Sequence, residues 1–135
     1  MNSLSKILTK INYLSSKHNI EMKINIFKGI ELWSEGKDKE RDSRWSLFEE
    51  KAGVYCFISK AKDKILYIGE SSVNVGNRLN SWFLNPQKEK EIEIYNNLED
   101  EDYIIIFTID KQKYMARAVE SFLLSVFDTK FNVKK

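Results

Sequence analysis

Along the chain the apolar positions change period several times, and each change marks an element. Leu4, Ile7, Leu8, Ile11 and Leu14 recur at three- and four-residue spacing, which predicts an amphipathic helix from Ser3, its expected cap, to about residue 17. Residues 22–33 (MKINIFKGIELW) alternate apolar and polar side chains, the two-residue period of a short strand or an extended arm. Residues 34–46 lose any period in a dense run of charges around Gly36. They read as an exposed loop or a solvated helix, pinned to the body by Trp33 and Trp45.

From Ala52 the pattern tightens. GVYCFIS (53–59) and ILYIG (65–69) flank the polar KAKDK (60–64), which predicts an antiparallel hairpin. Val75, Leu79, Trp82 and Phe83 then mark one face of a helix that must end before Pro86, the only proline. A second, acidic helix over 88–98 offers Ile92, Ile94, Tyr95 and Leu98 for burial. YIIIFTI (103–109) is almost continuously apolar, as a strand covered on both faces would be. The last helix spans about 111–127, with a stripe of Tyr114, Met115, Ala118, Val119, Phe122, Leu123, Val126 and Phe127 that should dock on the sheet. Glu120 lies at the edge of that stripe, where a partly desolvated carboxylate costs on the order of several kcal/mol unless something positive meets it. The fold class expected is α+β: a small three-stranded antiparallel sheet flanked by helices in the order β-β-α-α-β-α over residues 52–135, with residues 1–51 as an N-terminal helix and arm packed on it.

Composition narrows the class of protein. A chain of 135 residues with 42% hydrophobic and 31% charged residues has enough apolar material for one core and argues against disorder of the whole. No run approaches the ~18 apolar residues of a membrane span and no long signal-type apolar stretch opens the chain, so an intracellular, cytoplasmic protein with no membrane partner is expected. The one cysteine, Cys56, sits in a strand pattern, and the one histidine, His18, in a polar stretch. Neither has the partners that thiol catalysis or a structural zinc site needs, so both read as non-catalytic. The net charge of +2 hides an asymmetry: residues 86–110 hold 8 acidic and 2 basic groups, whereas residues 111–135 hold 6 basic and 2 acidic. A basic side and an acidic back are compatible with a phosphate-bearing partner. Only four of 22 basic residues are arginines (Arg41, Arg44, Arg78 and Arg117), which singles each of them out.

Gly53-Val54-Tyr55, Tyr67-Ile68-Gly69, Arg78 nine residues after Gly69, Glu120 on a late helix and Asn132 after it form an ordered set. That set, on the element order derived above, resembles the GIY-YIG nuclease family over roughly residues 52–133. The resemblance implies a metal-dependent endonuclease acting on nucleic acid, DNA rather than RNA, with 5′-phosphate and 3′-hydroxyl products. It makes Tyr55 and Tyr67 the paired phenols, Arg78 the phosphate-binding arginine, Glu120 the ligand of Mg2+ (or Mn2+) and Asn132 the closing polar residue. Gly53 and Gly69 would let strand ends approach a phosphate. Lys37, Lys39, Arg41 and Arg44 are candidates for further substrate contacts, against the plainer reading of a solvated charge run. An unperturbed phenol has a pKa of about 10, so either tyrosine needs help to act as a base near neutral pH.

Two features depart from the pattern. Trp82 and Glu70 stand where several relatives carry a histidine, tyrosine or lysine, and no histidine lies near the motifs. With three residues after Asn132 and some fifty before the first motif, no C-terminal DNA-binding arm is expected. That arrangement is similar to small restriction-type enzymes or to phage and mobile-element nucleases, where added elements supply DNA contacts or a dimer interface. Two hydrolyses per double-strand break would favour a homodimer. The competing reading is the same fold kept as a catalytically inactive nucleic-acid-binding or protein-interaction module.

Overall fold

The computed structural model describes residues 2–33, 47–83 and 89–132, with the side chains of 32–33 and 80–83 left aside. Helix α1 (Ser3–His18) leads into strand β1 (Met22–Lys28) and the short α2 (Gly29–Trp33). The hairpin β2 (Ala52–Ser59) and β3 (Lys64–Ser71) follows, then α3 (Val75–Phe83), α4 (Glu89–Asn97), β4 (Tyr103–Ile109) and α5 (Met115–Val126). The expected three strands of the core are present, and the arm adds a fourth, giving an antiparallel sheet in the order β1-β4-β2-β3. The charged segment holding Lys37, Lys39, Arg41 and Arg44 lies outside the described residues.

The sheet separates two apolar layers, as the continuous run of β4 requires. Ile105, Phe107 and Ile109 of β4 join Val54, Cys56, Ile58, Ile65 and Ile68 beneath α1 (Ile7, Ile11, Leu14) and α5 (Ala116, Val119, Leu123). Ile104 and Ile106 point the other way, to Tyr55, Phe57 and Leu66 beneath α3 (Val75, Leu79) and α4 (Ile94). A register shift between Phe57 and Ile58 places one extra residue, Leu66, on β3. This bulge turns Tyr67 and Gly69 onto the layer of Tyr55, with Phe57 opposite Tyr67 and Tyr55 opposite Gly69.

Several local details differ from the sequence reading. The α1 cap is Asn2, whose side chain accepts from the Ser5 N–H at 2.8 Å. Ser3 instead donates through its hydroxyl to the Asp63 carbonyl (2.7 Å) and through its N–H to Oδ1 of Asp63 (2.8 Å), fastening α1 to the β2-β3 turn. At the other end Asn19 takes the left-handed conformation (φ 51°) and returns its N–H to the Ser15 carbonyl, a conformation asparagine tolerates. The last helix begins at Met115, not near 111, because Met115 and Ala116 bond back three residues to Gln112 and Lys113 in a tight turn. Tyr114 therefore stands 75% exposed, and Ala116 takes the docking position assigned to Ala118.

The outer edge of β3 is covered by the chain's own tail. Thr129 bridges Ile65 in parallel sense, and the N–H groups of Lys130 and Phe131 donate to the carbonyls of Ile65 (3.1 Å) and Leu66 (2.9 Å). No helix among the described residues is long and apolar enough to cross a membrane.

Candidate active site

The two motif tyrosines meet on the α3-α4 side of the sheet. Tyr55, Phe57 and Tyr67 form a ring cluster with centroids 5.5 Å (Tyr55–Phe57), 6.2 Å (Tyr55–Tyr67) and 6.3 Å (Phe57–Tyr67) apart. Tyr55 is fully buried and Tyr67 half-buried at the layer's rim. Gly69 is required by this packing, since a Cβ there would run into the Tyr55 ring and hydroxyl, with Cε2 at 2.8 Å. Gly53 answers a different need: a Cβ would sit 2.6 Å from the Phe107 carbonyl oxygen of β4. Each motif glycine thus has a packing reason of its own, one for an aromatic ring and one for a neighbouring backbone.

Arg78 on α3 points into the same region. Its Nη1 donates to Oε2 of Glu91 on α4 at 2.6 Å, with the arginine side chain 30% and the glutamate 5% exposed. Burial opposes the guanidinium charge, but Tyr55, Glu91 and Tyr67 outweigh it and hold Arg78 firmly protonated. The sequence pattern points to Ile92, not Glu91, as a residue for burial on this helix. A signal for Glu91 is nonetheless present, because it lies three, four and seven residues before Ile94, Tyr95 and Leu98. That spacing puts it on their face, while Ile92 remains 41% exposed. A carboxylate survives on that face because Arg78 meets it.

Tyr67 is the electrostatic meeting point. Its hydroxyl is held above the usual phenol pKa, chiefly by burial and further by the carboxylates of Glu120 and Glu91, against the lowering effect of Arg78. The Lys90 ammonium lies 5.4 Å from the Tyr67 ring centroid. Glu120 belongs to α5, in the opposite layer, and β3, which carries Tyr67, is the strand next to that helix at the end of the sheet.

Asn132 sits at that edge with its amide fully engaged. Oδ1 accepts from the Ile68 N–H at 2.8 Å and Nδ2 donates to the Ile68 carbonyl at 2.9 Å. The side chain imitates one rung of a strand and clamps the tail beside the second motif. A groove of about 520 Å3 between α5 and the tail is lined by Glu120 and Asn132 together with Arg117, Ser121 and Asp128. The structure therefore gathers Tyr55, Tyr67 and Arg78 on one side of the β3 edge and Glu120 and Asn132 on the other.

Among the described residues no group of three or more histidine, cysteine, aspartate or glutamate side chains could hold a metal by itself. Such a cluster is not required of Mg2+, which commonly uses one or two carboxylates and completes its shell with water and substrate phosphate. Glu120 fits that role, and Oε2 of Glu70 on β3 is buried without a hydrogen-bond partner, the kind of oxygen a cation or an ordered water satisfies. Cys56 is buried and its thiol pushed up by burial, which leaves it protonated and outside the chemistry.

The antiparallel sheet thus brings two phenols together, with a charged arginine on a neighbouring helix and a carboxylate on the helix of the other layer. The GIY-YIG catalytic domain matches residues 51–132, and the chain belongs to the GIY-YIG family. It is also similar to the UvrABC system protein C of two strains of Lactobacillus delbrueckii subsp. bulgaricus, at 29% identity over 92 residues, 68% of this chain. The chain spans 14% of the length of those relatives.

Proposed function

We propose that this chain is an endonuclease that hydrolyses phosphodiester bonds in DNA and leaves 5′-phosphate and 3′-hydroxyl ends. The observation that carries the reading is the packing of Tyr67 against Tyr55, 6.2 Å between ring centroids, beside an Arg78 guanidinium held at 2.6 Å by Glu91. That pattern gives a phosphate a cation to bind and an attacking water a phenol to lean on. Family membership supports nuclease chemistry in general; the substrate, the products and the residue roles are our reading.

Arg78 binds the nonbridging oxygens of the scissile phosphate. Glu91 holds one end of the guanidinium plane, so that the fork meets the phosphate in a set orientation, where a charge-assisted pair is strong. Tyr67, neutral near pH 7, orients the attacking water through its hydroxyl and does not act as a free phenolate. Tyr55, locked over Gly69, sets the position of Tyr67 and faces Arg78. The water oxygen forms the new P–O bond, the bond to the 3′ oxygen breaks, and a proton passes to that oxygen. Asn132 keeps the β3 edge in place while this happens. Glu120, with Glu70 as a second carboxylate, would hold Mg2+ or Mn2+, which supplies Lewis acidity and an acidified water when bound.

Supercoiled plasmid incubated with the purified protein and Mg2+ should be nicked or linearised. Addition of EDTA, or the Glu120→Ala substitution, should abolish that conversion while DNA binding persists. Sequenced product ends should carry 5′-phosphates. A protein that binds DNA but never shows magnesium-dependent cleavage would be the inactive module instead. Affinity should fall steeply with salt through counterion release, and a flat response would remove the phosphate-contact surface from the proposal.

A further inference from the structure

The outer edge of β1 carries an unassigned interaction surface, and its occupant can be read from the strand itself. Among the described residues β1 ends the sheet on the side away from the candidate site. Its Lys28 N–H donates to Oε1 of Glu31 at 3.1 Å and so points away from β4. The pairing with β4 runs without a break from Met22 to Lys28, so by the two-residue period of a strand the backbone groups of Met22, Ile24 and Ile26 also point outward. Ile24 and Ile26 lie on one face and are 37% and 45% exposed. Edge strands are normally blunted by proline, a bulge or a central charge. The middle of this one is Ile-Asn-Ile with regular pairing, and its lysines stand only at positions 23 and 28.

We propose that β1 pairs antiparallel with the β1 of a second copy, about a two-fold axis at Asn25. In that register Ile24 faces the partner's Ile26, Lys23 faces the partner's Phe27 and Met22 faces the partner's Lys28, so no lysine meets a lysine. The parity is correct, because Ile24 and Ile26 both direct their N–H and C=O outward and can exchange hydrogen bonds as an antiparallel pair requires. A slip of one residue would set outward groups against inward ones. The next registers of correct parity, with Ile24 or Ile26 opposite its own counterpart, keep two fewer residue pairs. Four isoleucines then close into one patch, each covering a neighbour that is solvated in the monomer.

The product is a continuous eight-stranded sheet in which seven strand spacings separate the two β3 strands, about 34 Å at about 4.8 Å each. If the nuclease reading holds, two sites would stand about one turn of duplex apart. The dimer itself does not depend on that reading, and its test uses no catalysis.

Asn25→Cys places the new thiol at the two-fold axis, where facing Cα atoms in a non-hydrogen-bonded pair are about 4.5 Å apart, within disulfide reach. Under mild oxidation this variant should form a disulfide-linked dimer rapidly, while Lys6→Cys, on the exposed face of α1, should not; the buried Cys56 does not compete. By analytical ultracentrifugation the native chain should be dimeric in the micromolar range. Ile24→Lys/Ile26→Lys should be monomeric with the native far-UV circular dichroism spectrum, and its melting temperature should no longer rise with protein concentration as that of a dimer does. A native chain that stays monomeric throughout that range overturns the proposal. So does a dimer indifferent to the lysine pair, or an Asn25→Cys crosslink no faster than the Lys6→Cys control.

Discussion

Removing either partner of the Arg78–Glu91 pair should cost stability by different amounts, and the asymmetry follows from their surroundings. Glu91 is 5% exposed and Arg78 30%, so the two groups differ in what they can do once alone. Arg78→Ala strands a carboxylate in an apolar layer beside Ile94 and Leu79, a change that typically costs about 3–5 kcal/mol. Glu91→Ala leaves a guanidinium that can turn toward water, and the expected loss is nearer the ~1–3 kcal/mol of an unsatisfied buried hydrogen-bonding group. The double substitution should therefore be less destabilising than the two single losses added together. A coupling of roughly 1–3 kcal/mol is expected for a charge pair in contact. Urea unfolding of the four proteins, followed by far-UV circular dichroism, measures each quantity. Glu91→Gln, which keeps the shape but not the charge, should retain the fold and lose cleavage more than it loses DNA affinity, because the guanidinium remains but its orientation is released. Additive single effects, or an Arg78→Ala protein no less stable than Glu91→Ala, would refute the pairing as the reason Glu91 is buried.

Gly69→Ala should lower stability by about 1–3 kcal/mol, the range for overpacking a filled core, and the same substitution made in a Tyr55→Ala background should cost less than it does in the native chain. Asn132→Ala removes two hydrogen bonds to Ile68 and should cost about 1–3 kcal/mol, with faster amide exchange at Ile68 as the local signature. Tyr67 has a folded-state pKa above its unfolded value near 10, so its contribution is fully present below about pH 10 and lost as the pH rises through the folded pKa. Stability measured from pH 8 to 11 should fall at the alkaline end, and Tyr67→Phe should flatten that fall. A native-state thiol assay should find Cys56 unreactive until denaturant is added.

Much of the fold was legible along the chain because burial imposes a period. The hairpin, the doubly covered β4 and the Val75/Leu79 face of α3 all carry their apolar residues where one buried side demands them. The arm from residue 22 could be read as extended, but not where it pairs. Its edge position beside β4 depends on which backbone groups remain unpaired after the core has formed.

The site divides in the same way. Tyr55, Tyr67, Arg78, Glu120 and Asn132 stand out as candidates in the sequence because residue types and their order are linear properties. Their partners are not linear. Glu91 met Arg78 only because α4 folds back on α3 with a carboxylate on its apolar face. Gly69 owes its identity to a phenol on the adjacent strand, and Asn132 to a strand rung sixty-four residues away. The order of residues along the chain was enough to single out the candidate side chains and the elements that hold them. Folding in three dimensions set that Arg78 is tethered to Glu91, that burial raises the pKa of Tyr67, and that the β3 edge is closed by residues 129–132 while β1 has no further strand beside it among the described residues. The reason is that desolvation, charge coupling and backbone pairing are set by distance in space, which separation along the chain does not specify.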